Sequence, residues 1–152
     1  MITLGSETIF DVIDEVEPLL RAHYCELAKN QDRVHLKPDW DRYVALERIG
    51  GFLLYTARDE NAELVGYAAF FASTHPHYME LMLVSNDVLY LAPSHRVGRT
   101  GIRLIRYCEE RIFATYGKQC ALTWHCKENT PLAGMLGRMG YGVQDVVMSK
   151  LF

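Results

Sequence analysis

The segment Leu89 to Ile112, LYLAPSHRVGRTGIRLIRYCEERI, constrains the fold more than any other. It begins as a dense apolar run, the pattern of a buried strand, and passes through Pro93. It then sets Arg96, Arg99, Arg103 and Arg106 around Gly98 and Gly101, and continues as a helix with Ile102, Ile105, Cys108 and Ile112 at helical spacing. The first turn of a helix has backbone N–H groups without partners and carries partial positive charge. A loop entering that turn can wrap an anion with its amides, glycine lets the backbone approach, and arginine adds forked hydrogen bonds. HRVGRTG is therefore of the type of a pyrophosphate cradle. Turn chemistry alone serves a solvated basic helix start equally well. The spacing G-x-x-x-x-G-K-S/T of a nucleotide-triphosphate loop is absent, and so is a dinucleotide fingerprint.

The arginines need a local reason because the chain as a whole is acidic, with a formal net charge of −3. That balance argues against a general nucleic-acid binder. No apolar run approaches the roughly 20 residues of a membrane span. The start, MITLGSETIF, lacks the basic-then-apolar order of a secretory signal. Cys25, Cys108, Cys120 and Cys126 show no C-x-x-C spacing and read as reduced thiols of a cytoplasmic protein. With no repeat and no linker, residues 1–152 read as one domain.

Ile9, Val12, Ile13, Val16, Leu19, Leu20, Tyr24 and Leu27 recur at helical spacing, and Pro18 either kinks that helix or starts a second. Asp39 is an N-cap for DWDRYVALERIGG, which stops at Gly50-Gly51. GFLLYTARD and ELVGYAAFFAS, joined by a polar turn, read as a hairpin, and MELMLVSNDVLYLA as a third long strand. QCALTWHC is a buried strand, TPLAGMLGRMG a short helix, and YGVQDVVMSKLF a closing strand. Helices, antiparallel strands, then strand–helix–strand–helix–strand give a mixed α+β sheet with at least one crossover.

The chain resembles the GNAT (Gcn5-related) N-acetyltransferases, whose acetyl-CoA motif R/Q-x-x-G-x-G/A follows the fourth strand and opens a helix. RVGRTG supplies Arg96 in its first position and Gly101 in its last; Arg99 stands where the middle glycine usually is, and Gly98 is displaced by one. NTPLAGMLGRMGY resembles the later N-x-x-A-x-x-x-Y-x-x-x-G-F/Y segment: Asn129, Gly140 and Tyr141 match, while Leu132 replaces the Ala and Leu136 the Tyr. HPHY, NDVLYL, GRTGIRLIR and the terminal SKLF resemble a phage-associated and bacterial subgroup. The resemblance covers residues 52–152 best. It implies a mostly antiparallel central sheet flanked by helices, with the fourth and fifth strands splayed around the pantetheine arm of acetyl-CoA. Leu89, Tyr90 and Leu91 would lend that arm backbone groups, and the amides of Val97, Gly98, Arg99, Thr100 and Gly101, with Arg96, would hold the pyrophosphate. Asn129 would complete the cofactor site.

The activity implied is acetyl-CoA-dependent transfer to an amine, small molecule or protein, by direct attack on the thioester. A non-catalytic acyl-CoA-binding or phage accessory module on the same fold is the alternative, favoured by the altered glycine and by Leu136. A lysine-like amine has a pKa near about 10.4, so transfer needs a base. Period-two alternation puts Ser85, Asp87, Leu89 and Leu91 on one side of their strand. Family members with a glutamate base carry it upstream on this strand, where Ser85 stands. Asp87, one pleat nearer the cofactor, is the first candidate base; it reads equally as part of a turn-forming SND. Glu80 is the second candidate, or a surface charge. His125 ends the fifth strand beside Trp124 and Cys126, as a proton relay or a structural histidine. His75 and His77 bracket Pro76 without a convincing third ligand, so no metal is expected. His23 or Glu26 could face the acceptor. Neither a specific nucleic acid nor a membrane is expected as partner, and a homodimer is compatible with the sequence.

Overall fold

Thr8 begins the first long helix by accepting a hydrogen bond from the Asp11 amide at its side chain. The computed structural model describes residues 1–128 and 130–152. In chain order these form β1 (Thr3–Ser6), α1 (Ile9–Leu27), α2 (Trp40–Arg48), β2 (Phe52–Arg58), β3 (Leu64–His75), β4 (Tyr78–Leu91), a single 3-10 turn at Pro93–His95, α3 (Thr100–Tyr116), β5 (Cys120–Thr123) and α4 (Leu132–Arg138). α1 runs through Pro18 as one element instead of restarting there. Its apolar stripe buries Ile9, Val12 and Val16, and that packing holds the helix across the lost backbone bond. Asp39 caps α2 as expected, accepting from the Arg42 amide at 3.1 Å.

The sheet has the order β1-β2-β3-β4-β5. Every pairing is antiparallel except β4 with β5, which is parallel and reached through the α3 crossover. One face carries α1 and α2 over Phe52, Leu54, Tyr67, Ala69, Val88 and Tyr90. The other carries α3, with Leu104, Cys108 and Ile112 packed on Tyr55, Phe70 and Val84. β3 and β4 close tightly at one end. A Cβ on Gly66 would stand 2.8 Å from the Tyr90 carbonyl oxygen and 2.7 Å from Leu91 Cδ1, so only glycine fits.

Two expectations are corrected. β1 is absent from the sequence reading; four residues containing Gly5 and Ser6 carry no alternation, and only pairing with β2 makes them a strand. The closing strand YGVQDVVMSKLF does not form: residues 141–152 are irregular, and Val143, Val147 and Phe152 are exposed. β5 ends after four residues and offers too short an edge to order it. Among the described residues no helix is long and apolar enough to cross a membrane.

Candidate active site

β4 and β5 pair only from Met82↔Cys120 to Ser85↔Thr123, where the two hydroxyls meet at 3.0 Å. Beyond this point β4 continues for six residues to Leu91, while the chain after Thr123 leaves the sheet. The edge of β4 from Asn86 to Leu91 that faces away from β3 therefore has no strand partner among the described residues. This is the splay expected from the sequence.

β4 does not keep its alternation across the splay. Phe70 pairs with Asn86 and Ala69 with Val88, so Asp87 is an extra residue, a β-bulge. The Asn86 side chain, 2 % exposed, holds the bulge together by donating to the carbonyls of Ala69 (3.2 Å) and Val88 (2.8 Å). The consequence is a change of parity. Val84 packs on the α3 face, yet Val88 and Tyr90 pack on the α1 face. Leu89 and Leu91, expected beside Asp87, turn instead to the α3 face, opposite Ala68 and Gly66. Asp87 faces the crevice beneath α1 and α2, together with Tyr43 and Tyr67.

Asp87 is exposed as a residue, while its carboxyl stands beside the residues that line the crevice. Desolvation there raises its carboxyl above the ordinary carboxylate range, against the opposing pull of His125 and of a hydrogen bond from the Tyr43 hydroxyl. Two of the three candidate catalytic side chains, Asp87 and His125, thus come within electrostatic reach of each other. Glu80 does not join them. It is exposed near the β3–β4 hairpin tip, roughly 23 Å along β4 from Asp87 at the usual strand rise of about 3.3 Å per residue.

At the far end of the open edge, α3 starts without a side-chain cap. The amides of Val97, Gly98, Arg99 and Gly101 find no acceptor among the described residues, whereas Thr100 closes weakly on the Val97 carbonyl at 3.4 Å. Gly98 has φ +59, a left-handed conformation that explains a glycine at this displaced position. Nothing lies within 4 Å of where a Cβ would stand on Gly98 or Gly101, so the turn is open to a ligand. This is a cradle of free amides at the positive end of a 17-residue helix.

Arg96 is occupied differently from the sequence expectation of a free phosphate ligand. Its guanidinium pairs with both oxygens of Glu26 at 2.6 Å, its Nε donates to the Leu91 carbonyl at 2.6 Å, and it lies over the Tyr90 ring. Glu26 is held below the ordinary carboxylate range by that hydrogen-bonded pair. The pair straps the end of α1 to the turn. His23, the other residue of α1 noted in the sequence, packs against Tyr90 with ring centroids 5.6 Å apart and planes tilted by 55°; burial lowers its pKa, against the pull of Glu26. Leu136 is buried in the core, and the Tyr141 hydroxyl donates to Glu109 at 2.6 Å. Asn129 lies outside the described residues. No group of three potential metal ligands occurs among the described residues. The sequence reading missed Asn86, Tyr43 and Tyr67. A tyrosine inside the apolar run ELVGYAAFF was the available signal, because a buried phenol needs a partner.

Comparison with known proteins agrees with this architecture. The family described as "Acetyltransferase (GNAT) family" matches residues 15–141. A GCN5-related N-acetyltransferase from Ralstonia eutropha superposes with a TM-score of 0.75 at 18% identity, covering 99% of each chain. A ribosomal-protein-alanine N-acetyltransferase from Brucella melitensis gives a TM-score of 0.69 at 18% identity, covering 100% of this chain and 99% of that one. An aminoglycoside acetyltransferase from an uncultured soil metagenomic sample gives 0.72 at 15% identity, covering 100% of this chain and 97% of that one. At these identities the likeness concerns the fold. No curated protein matches the sequence.

Proposed function

Because the chain belongs to the GNAT family of acetyltransferases, we propose that it transfers an acetyl group from acetyl-CoA to an amine in the cleft where β4 and β5 part. One observation carries this reading. The unpaired edge of β4 ends in free amides at the start of α3, and Asp87 stands on the same edge at the other end. A diphosphate suits the amides of Val97 to Gly101, and an extended pantetheine arm suits the open edge from Leu89 to Leu91.

The chemistry asked of the protein is modest. The acceptor arrives as an ammonium, and Asp87 takes one proton from it. The freed nitrogen attacks the thioester carbonyl carbon, the C–S bond breaks, and the sulfur leaves as thiolate. The second proton then passes from nitrogen to thiolate through solvent in the open cleft. Tyr141 does not supply it, since its hydroxyl is bound to Glu109 and burial pushes its pKa up. Holding both substrates together supplies much of the remaining rate.

Gly101→Val tests the cradle. The new side chain meets no protein atom, so the fold is expected to survive, while its bulk bars a phosphate from the amides. Calorimetric titration should show acetyl-CoA affinity reduced by about tenfold or more, the worth of one or two charge-assisted hydrogen bonds. Unchanged affinity in a folded variant would remove the assignment. Release of free thiol with an amine separates the transferase from a binding module, which would bind acetyl-CoA and release none.

A further inference from the structure

Two buried side-chain polar atoms among the described residues lack a hydrogen-bond partner, the Tyr67 hydroxyl and Trp124 Nε1, and the first of them lines the crevice that Asp87 lines. Tyr67 is 2 % exposed, and its oxygen has no hydrogen-bond partner among the described residues. Burying a hydroxyl without a partner is costly, so such a group calls for an occupant. The phenol lines the crevice beneath α1 and α2 that Asp87 also lines. The phenol makes no hydrogen bond to Asp87, yet its pKa is raised by burial and by the Asp87 charge. A polar group entering the crevice from the Asp87 side would meet both residues.

The crevice has about 10 Å³ of space for the centre of a water-sized group, room for one small polar head. Its walls are Trp40, Tyr43, Phe52, Leu54 and Val88, and Asp87 is the one charged side chain lining it. Outside the crevice, Phe71 is partly exposed and stacks on Tyr43 with planes 22° apart. Glu17, at the Trp40 indole, is already paired with Arg21. A polycationic acceptor would find one carboxylate in the lining where it needs several, and a phosphorylated acceptor would find no basic side chain among the lining residues.

We propose that the nitrogen of the acceptor seats between the Tyr67 hydroxyl and Asp87, and that the acceptor is a primary amine on an apolar, flat body that lies against Tyr43 and Phe71. This rests on the acetyl-transfer reading and names its substrate class. Tyr67 accepts a hydrogen bond from the ammonium and aims it at Asp87. The same contact continues after proton loss, since the amine keeps N–H donors for the phenol oxygen and its lone pair stays free for the thioester carbon.

Tyr67→Phe removes one oxygen and keeps the ring. For phenethylamine the expected result is a KM raised by about tenfold or more with the KM for acetyl-CoA unchanged, as one hydrogen bond to a charged group is lost. The melting temperature should stay level or rise, because an unpartnered buried hydroxyl has gone. A lower melting temperature with an unchanged amine KM would overturn the proposal: the phenol would then be bonded within the fold, through a fixed water. Phenethylamine, hexylamine, spermidine and an aminoglycoside are compared for thiol release and, separately, for raising the melting temperature without acetyl-CoA. Turnover of spermidine or the aminoglycoside alone overturns the apolar acceptor and leaves acetyl transfer standing. Tyr67-dependent binding of phenethylamine without thiol release supports the seat and overturns acetyl transfer. Neither binding nor turnover of any amine overturns both.

Discussion

An Asp87→Asn variant is expected to lose turnover by something on the order of 10²–10⁴, the usual worth of a positioned base, while binding acetyl-CoA as tightly as the parent. The amides that suit the diphosphate lie at the other end of the open edge, out of reach of this change. The pH dependence carries a second signature. Enclosure holds the Asp87 carboxyl above its ordinary value near about 3.9, so the acid limb of the parent's rate profile should lie above that value. The loss in the variant should shrink as pH rises and free amine accumulates in solution. Stability should move the other way. With a folded pKa raised above the unfolded one, ionising Asp87 opposes folding; stability is greatest below the unfolded value and declines as pH rises through the folded one. At neutral pH the Asn variant should therefore melt no lower than the parent. A lower melting temperature with turnover per folded molecule unchanged would make Asp87 a residue of the bulge alone, and His125 the next candidate.

Asn86→Leu is expected to be the most damaging single change to stability near the site, about 2–5 kcal/mol by urea denaturation. It keeps the branched outline but removes the donor that holds the Ala69 and Val88 carbonyls, and each buried acceptor left alone costs about 1–3 kcal/mol. Asp87 loses its fixed direction at the same time, so the folded fraction should also turn over more slowly. Unchanged stability would mean that the backbone closes over the bulge without help.

The elements that local chemistry specifies were legible in the sequence. α3 announces itself by spacing from Gly101 onward and by Gly117, the glycine that follows its last residue, α2 by Asp39, and β4 by its long apolar run. The turn of free amides was legible because glycines and a helix start are neighbours in the chain. What escaped depends on pairing between distant segments. The alternation in VSNDVL looks unbroken, and only the register against Ala69 and Phe70 makes Asp87 the extra residue. β1 exists because β2 offers it an edge. The tail from Tyr141 has strand composition but no comparable edge. Arg96 was read as a phosphate ligand from its place in the motif, and nothing local signals that Glu26, seventy residues earlier, takes both its forks. Tyr67 drew no notice inside the apolar run of its strand, because a ring that packs in the core and a hydroxyl left without a partner look the same in sequence.

The bulge has a further consequence for insertions and deletions. Losing one residue from a central strand ordinarily inverts every side chain beyond the gap and destroys the core. At position 87 the arithmetic is reversed. Asn86 already pairs with Phe70 and Val88 with Ala69, so a chain lacking Asp87 would join two halves of a ladder already in register. Both faces of the sheet would keep their present residues, and the carboxylate alone would disappear. A lineage can therefore lose or gain this carboxylate by a single codon gap, with the scaffold intact on either side of the event.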